Sequence, residues 1–370
     1  MRTITIIYDG SSYTYKWIKA LLWAKKEFIS EGYNVKYINT KAFIPIKDFA
    51  SNQIDELLNI LQIESLDIVL IAFHYSLSDI KSSSGLDKLE CLKIIKESCN
   101  RLVWLDTADS TGNCQFEVMP FVDVYLKKQI YKDKSLYFKH LYGTKLFTDY
   151  YHSKYNIVDE RINVKCELLK QEYANKLNLA WNIGLSDFWT KTRYCFFRPS
   201  SMYNPRFVNI NNNRETLLFF NGTLNYSPLA GYQRKKVVEL LESNELTNTP
   251  APTAKMSHKE YVKYMCSSKA VISPFGWGEI CYRDFEAFVY GATLIKPDMS
   301  QIETFPNFFV KGETYVALDW DFGNYERILK EIGSSQYKDI AKRGQELYQY
   351  YYSSPTCKSM FVQHFLSVIS

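Results

Sequence analysis

The sequence predicts an α/β protein with two doubly wound, mostly parallel sheets, one in each half of the chain. Three observations predict it. Apolar, β-branched runs alternate with segments of helical spacing through the first third of the chain. The same alternation resumes at residue 214. The 370 residues suffice for two domains, each burying its own core.

The elements follow in order. Residues 3–8 are a β-branched run that stops at Asp9-Gly10-Ser11-Ser12. In 13–31, Trp17, Leu21, Ala24 and Phe28 share a helical face. Residues 34–39 read as a strand, 51–62 as a helix, and 67–73 as an apolar strand. Helix 86–98 leads to strand 101–106, and a short strand follows near 122–126. Residues 127–213 are less regular, with helical patterns near 160–178 and 185–192. The stretch rich in Pro and Asn from Arg198 to Asn213 reads as a connection between the halves. Then come strand 216–220, helices 230–242 and 257–267, strand 270–273, helix 281–290, and strands 292–296 and 314–318. Helices near 323–332, 336–351 and 356–369 close the chain. The predicted domains are 1–205, 206–352 and a terminal helical segment, 353–370.

Composition narrows the function. Hydrophobic residues at 46% and charged residues at 23% exclude wholesale disorder and a coiled-coil rod. Forty-five Lys+Arg against 40 Asp+Glu give +5, with no basic block long enough for a nucleic-acid arm. The expectation is no nucleic-acid partner. The mild positive charge fits an anionic small ligand or weak peripheral contact with a membrane. The eight cysteines form no Cys-x-x-Cys and no zinc-ligand spacing with histidine, so reduced thiols are expected. The chain opens directly on a strand without a signal-peptide layout. It has no apolar run approaching ~20 residues, which predicts a cytoplasmic protein, at most peripheral at the inner membrane face.

The strongest motif is Ser273-Pro-Phe-Gly-Trp-Gly-Glu-Ile-Cys-Tyr-Arg-Asp-Phe-Glu-Ala-Phe-Val-Tyr-Gly-Ala-Thr-Leu-Ile-Lys296. A strand ends in a glycine-containing loop and a helix begins just beyond. Gly276, Trp277 and Gly278 form the loop, where backbone N–H groups can face an anion. Arg283 in the first turn can pair with a phosphate, and Glu286 one turn on can accept bonds from vicinal hydroxyls. Glu279 stands at the loop edge. A second candidate is the turn Asn221-Gly222-Thr223 with Arg234 on the next helix. Its alternative reading is a plain turn beside a solvated helix face.

In the first half, strand 101–106 delivers Asp106-Thr-Ala-Asp109-Ser110-Thr111-Gly112 at its carboxyl end, where open α/β sheets bind ligands. Asp106 or Asp109 can serve as a general base and Ser110 can hold an acceptor hydroxyl. The alternative is an Asx or helix-capping turn. Asp9, Ser11 and His74 follow strands that end at the same edge. No Gly-x-Ser-x-Gly, no Walker loop and no strict Gly-x-Gly-x-x-Gly after the first strand is present. Asp319-Trp320-Asp321 mimics an Asp-x-Asp metal site but reads better as a strand-to-helix turn.

The block 273–296 resembles the donor-binding signature of GT-B glycosyltransferases, in the group-1/CgeB-like branch, with a fainter likeness to exostosin-type sequences. The match spans about 215–350, and six residues separate Glu279 from Glu286 where many group-1 enzymes have seven. The resemblance implies two Rossmann-like domains facing a central cleft, with the last helix crossing back to the first domain. It implies a nucleotide-sugar donor in the second domain, held by Gly222, Thr223, Arg234, Gly276, Trp277, Gly278, Arg283 and Glu286. It implies a glycan or lipid-linked glycan acceptor in the first domain, which it matches in architecture alone; Asp9, Ser11, His74 and Ser110 are the candidates there because they follow strand ends. Catalytic roles fall to Asp106, Asp109 and Glu279, with no metal and no cofactor. The setting such relatives suggest is bacterial surface polysaccharide synthesis. A sugar-nucleotide epimerase of the same architecture, or a non-catalytic sugar-binding module, remains an alternative.

Overall fold

The computed structural model describes residues 1–9, 11–39, 66–73, 88–162, 166–185, 205–244, 252–354 and 356–370. The expected helices 51–62 and 185–192 lie outside these residues, apart from Leu185.

A six-stranded parallel sheet fills the first half. Its strands are β1 (Arg2–Tyr8), β2 (Tyr33–Asn39), β3 (Leu66–Phe73), β4 (Cys99–Asp106), β5 (Val124–Lys127) and β7 (Leu177–Leu179), in the spatial order β2-β1-β3-β4-β5-β7. Alternate residues enter opposite cores: Ile4 and Ile6 pack on one face, Ile7, Val69 and Ile71 on the other. Helices α1 (Ser12–Trp23), α2 (Lys25–Ser30) and α3 (Lys88–Glu97) link the early strands. The single helix expected over 13–31 is therefore two, divided at Ala24.

The second half holds a four-stranded parallel sheet of β8 (Thr216–Phe219), β9 (Ser268–Ile272), β10 (Thr293–Pro297) and β12 (Val316–Leu318), in the order β12-β10-β9-β8. Around it lie α5 (Tyr232–Ser243), α6 (His258–Ser267), α7 (Tyr282–Tyr290), α8 (Tyr325–Glu331) and α9 (Ser335–Ser353). Gly291 ends α7 at φ 69°, a left-handed conformation that suits glycine, and so permits the immediate turn into β10. The two parallel α/β sheets expected from the sequence are both present.

The irregular middle departs from expectation. No helix spans 160–178 among the described residues; a 3-10 segment at Gln171–Lys176 leads into β7. Leu177-Asn178-Leu179 alternates in and out of the core, as a sheet-edge strand requires. Helix α4 (Leu146–Tyr155) was not expected, nor was the antiparallel ribbon of β6 (Gln129–Tyr131) and β11 (Ile302–Thr304). The ribbon joins the halves directly, pairing Gln129 with Thr304 and Tyr131 with Ile302.

The last helix, α10 (Cys357–Ile369), packs on the first half. Phe361 and Phe365 stand edge-on to Phe28 and Trp181, and His364 Nε2 lies 2.8 Å from the Ala180 carbonyl. One apolar cluster runs from Ile4 through Phe275 and Phe285 to Ile369, so the halves share a core. Among the described residues no helix is long and apolar enough to cross a membrane.

Candidate functional site

The loop after β9 meets the loop after β4. A Cβ added at Gly278 would stand 2.0 Å from the Asp109 carbonyl oxygen, so glycine is needed for the two backbones to touch. Glu279 crosses the junction: its Oε2 accepts from the Thr111 N–H at 3.0 Å and from Gln129 Nε2 at 2.5 Å. The two segments singled out in the sequence, 106–112 and 273–286, thus form one locus between the sheets.

On the second-half side the geometry gathers cations. Arg283 Nη2 donates to the Asn221 carbonyl at 2.6 Å, and its guanidinium lies 4.8 Å from the Phe220 ring centre. Arg234 donates to the carbonyls of Phe275 and Thr223, with its guanidinium 4.4 Å over Tyr226. Glycines make the space: a Cβ at Gly222 would meet Arg283 Nη2 at 3.1 Å, and one at Gly276 would meet Arg234 Nη2 at 2.7 Å. Both guanidiniums hydrogen-bond to backbone carbonyls, and among the described residues neither has an ion-pair partner. Thr223 is exposed at the rim.

The loop amides do less than expected. Gly276 N–H donates to the Gly278 carbonyl, and Phe275 N–H to Gln233 Oε1. The loop is pinned by buried Asp284, which accepts from Ser273 Oγ and Cys281 N–H and pairs with buried Lys296 at 2.8 Å. Trp277 is 49% exposed beside Tyr226, a ring free to stack on a ligand.

Glu286 is half-buried and accepts from the Tyr261 hydroxyl at 2.6 Å. Burial pushes its carboxyl up, against the opposing pull of that hydrogen bond and of Arg283. Tyr261 is a site residue that sequence reasoning missed. A phenol one helix away carries no local signal.

The first-half side corrects several assignments. Asp106 is not an available base. Its carboxylate is buried, accepts from Tyr125 Oη at 2.6 Å and the Ala108 N–H at 2.8 Å, and pairs with buried Lys127 at 2.8 Å. Burial opposes the Lys127 charge, but Asp106 together with more distant acidic groups, Glu279 among them, holds the lysine up. Glu279 is 2% exposed and spent on the junction, so it positions loops and does not face an open cleft. Ser110 is buried and accepts from the Asn113 N–H; Ser11 caps α1 through Thr14 N–H; Asp9 accepts from Ser11 N–H. These three serve turns and caps, which for Ser110 is the alternative the sequence offered. His74 lies outside the described residues.

Asp109 differs. Its side chain is 42% exposed, held by Lys128 Nζ at 3.1 Å and the Tyr13 hydroxyl at 3.0 Å. Tyr282, across the junction, has its hydroxyl pKa pushed up to about 12 by burial and then by Asp109. Asp319 and Asp321 shape the turn before α8, Asp321 also pairing with Lys154 at the surface. Among the described residues no three His, Cys, Asp or Glu side chains converge as a metal set. A separate first-half cavity of 330 Å³, lined by Tyr131, Tyr137, Tyr142 and His152, contains none of the expected acceptor residues.

No family model matches the chain, and no curated protein matches it. Among solved structures, HepE from Anabaena in complex with UDP is similar over 99% of this chain and 100% of its own, with 8% identity and a TM-score of 0.46. MnaA from S. aureus with UDP is similar over 100% and 98%, at 10% identity and 0.42. A glycosyltransferase from Rickettsia africae is similar over 99% and 97%, at 10% identity and 0.43.

Proposed function

We propose that the chain is a metal-independent glycosyltransferase of GT-B architecture, of the group-1/CgeB-like kind. It moves a sugar from a nucleotide-sugar donor to a hydroxyl of a glycan or lipid-linked glycan, in surface polysaccharide synthesis. The observation that carries the reading is the pair Arg234 and Arg283. Both are fixed by carbonyls of loops 221–223 and 275, and among the described residues neither has a carboxylate within ion-pair distance, although Glu286 and Asp284 act on Arg283 through space. Such a pair is preorganised for phosphate charge. Glu286, beyond Arg283 on α7, offers acceptor oxygens to the ribose hydroxyls.

In the reaction the acceptor oxygen bonds to the anomeric carbon as the bond from that carbon to the phosphate oxygen breaks. The electron pair departs with the phosphate, whose charge Arg234 and Arg283 stabilise. Asp109 takes the acceptor proton in an inverting reaction; in a retaining one the departing phosphate oxygen takes it. Glu279 keeps the two loops in register.

The test is a thermal-shift screen of nucleotides and nucleotide sugars, followed by product analysis with the donor found. A donor at 100 times its Kd adds about 2.7 kcal/mol of stability. Glu286→Ala abolishes the shift. An unchanged shift refutes the ribose role, and the absence of a shift with every nucleotide refutes the donor site.

A further inference from the structure

Lys145 breaks three local rules at once. It occupies the N-cap of α4, where Ser, Thr, Asp or Asn is preferred, and its side chain makes no capping bond. It places a cation at the positive end of the helix dipole. It is 5% exposed, yet among the described residues its ammonium has neither a hydrogen bond nor an ion pair. The stem is buried while the ammonium sits against two aromatic rings at the edge of solvent, and sequences keep such local violations where function needs them.

Its surroundings point across the junction. The ammonium lies 5.2 Å from the Trp277 ring centre and 5.7 Å from that of Phe147. Trp277 packs on Tyr226, and Tyr226 carries the Arg234 guanidinium. Burial lowers the Lys145 pKa, while Glu279, Asp109 and Asp159 pull it back up. These carboxylates have their own partners: Glu279 binds Thr111 and Gln129, Asp109 binds Lys128 and Tyr13, and Asp159 accepts from the Leu229 N–H. Neutral donors hold Glu279, so its charge still acts on Lys145 through space, but among the described residues no carboxylate stands within ion-pair distance of the ammonium.

We infer that Lys145 is a third cation of the leaving-group site, reaching the donor diphosphate from the first half and completing the anion site only where the halves meet. This rests on the donor-site reading above. The lysine ammonium contacts the phosphate oxygens directly, and Trp277 forms the wall that keeps it at the mouth. Because Lys145 sits on α4, which packs on the second half through Tyr151 and Gln233, its placement reports the junction itself.

The experiment is calorimetric titration of the full chain with UDP, GDP and ADP, and with the matching nucleosides. Wild type, Lys145→Met, Lys145→Gln and Lys145→Arg are compared. The diphosphate that binds wild type loses roughly 10- to 100-fold in affinity in the Met and Gln variants, as for a charge-assisted bond. The Arg variant recovers most of it, and nucleoside affinity does not move. Loss of nucleoside and diphosphate affinity in equal measure marks a structural role and overturns the proposal. So does unchanged diphosphate affinity, which leaves the donor-site reading standing. A wild type that binds none of the three diphosphates overturns both. Gln serves if the Met variant fails to fold.

Discussion

The carboxyl edges of the two sheets carry charge in opposite ways. At the first sheet the charges are closed: Asp106 and Lys127 neutralise each other without solvent contact, and Lys128 is paired with Asp109. At the second sheet one buried pair, Asp284–Lys296, closes the loop base, but Arg234 and Arg283 donate to carbonyls and have no ion-pair partner among the described residues. A carbonyl orients a guanidinium without cancelling its charge. The first edge is built to hold a loop in place, and the second to receive an anion. Two loops at equivalent positions in similar sheets therefore differ in what a substitution should damage.

The largest effect expected is on stability. Asp106→Asn strands the Lys127 ammonium in a dry site, and breaking a buried pair this way costs about 3–5 kcal/mol. Urea denaturation measures it. A cost below about 1 kcal/mol would mean that water reaches the pair, and the first edge would then not be closed. Arg283→Met is expected to behave in the reverse manner. It breaks no ion pair and leaves Glu286 its Tyr261 hydrogen bond, so the folding cost is the smaller of the two, while kcat/KM with the donor falls by about 10²- to 10³-fold. Equal losses of stability in the two variants would erase the distinction between the edges.

This contrast was only partly legible in the sequence. Alternation of apolar runs gave both sheets, because burial on two faces demands near-continuous hydrophobic strands such as 67–73. The block 273–286 was visible because glycines, an arginine and two glutamates fall at fixed offsets on one strand–loop–helix unit. What Asp106 does was not visible. Its partner Lys127 lies on the neighbouring strand, and sequence shows an acid at a strand end without showing what faces it. Glu279 misled for the same reason, since its partners Thr111 and Gln129 are more than 100 residues away. The ribbon β6–β11 escaped because three-residue strands carry no periodicity. Lys145 had a signal, a lysine just before a helix, but it becomes informative only once the helix is placed.

Asp109 sits where the two edges touch, and its variant sharpens the comparison further. Asp109→Asn keeps the shape and the bond to the Tyr13 hydroxyl, but it removes both the proton acceptor and the charge paired with buried Lys128, so some stability is lost as well. In an inverting enzyme kcat falls roughly 100-fold, with donor affinity unchanged. A kcat within about twofold of wild type would assign proton removal elsewhere, or to a retaining course.

The smallest effect expected is one of sign. Burial raises the Glu286 carboxyl above its ordinary value, so its folded form resists ionisation. A group raised in this way contributes stability that is fully present below the unfolded carboxyl pKa of about 4.3 and is lost as pH rises through the folded value. Glu286→Gln removes that loss. The Tm difference between variant and wild type should be near zero at about pH 4 and should grow in favour of the variant toward pH 7. The same variant should lose the thermal shift given by the donor, because an amide accepts less strongly than a carboxylate from ribose hydroxyls. Stability gained where binding is lost is the signature of a charge kept for a ligand. A variant less stable than wild type at pH 7 would mean that Arg283 and Tyr261 already stabilise the carboxylate, and the second edge would be closed like the first.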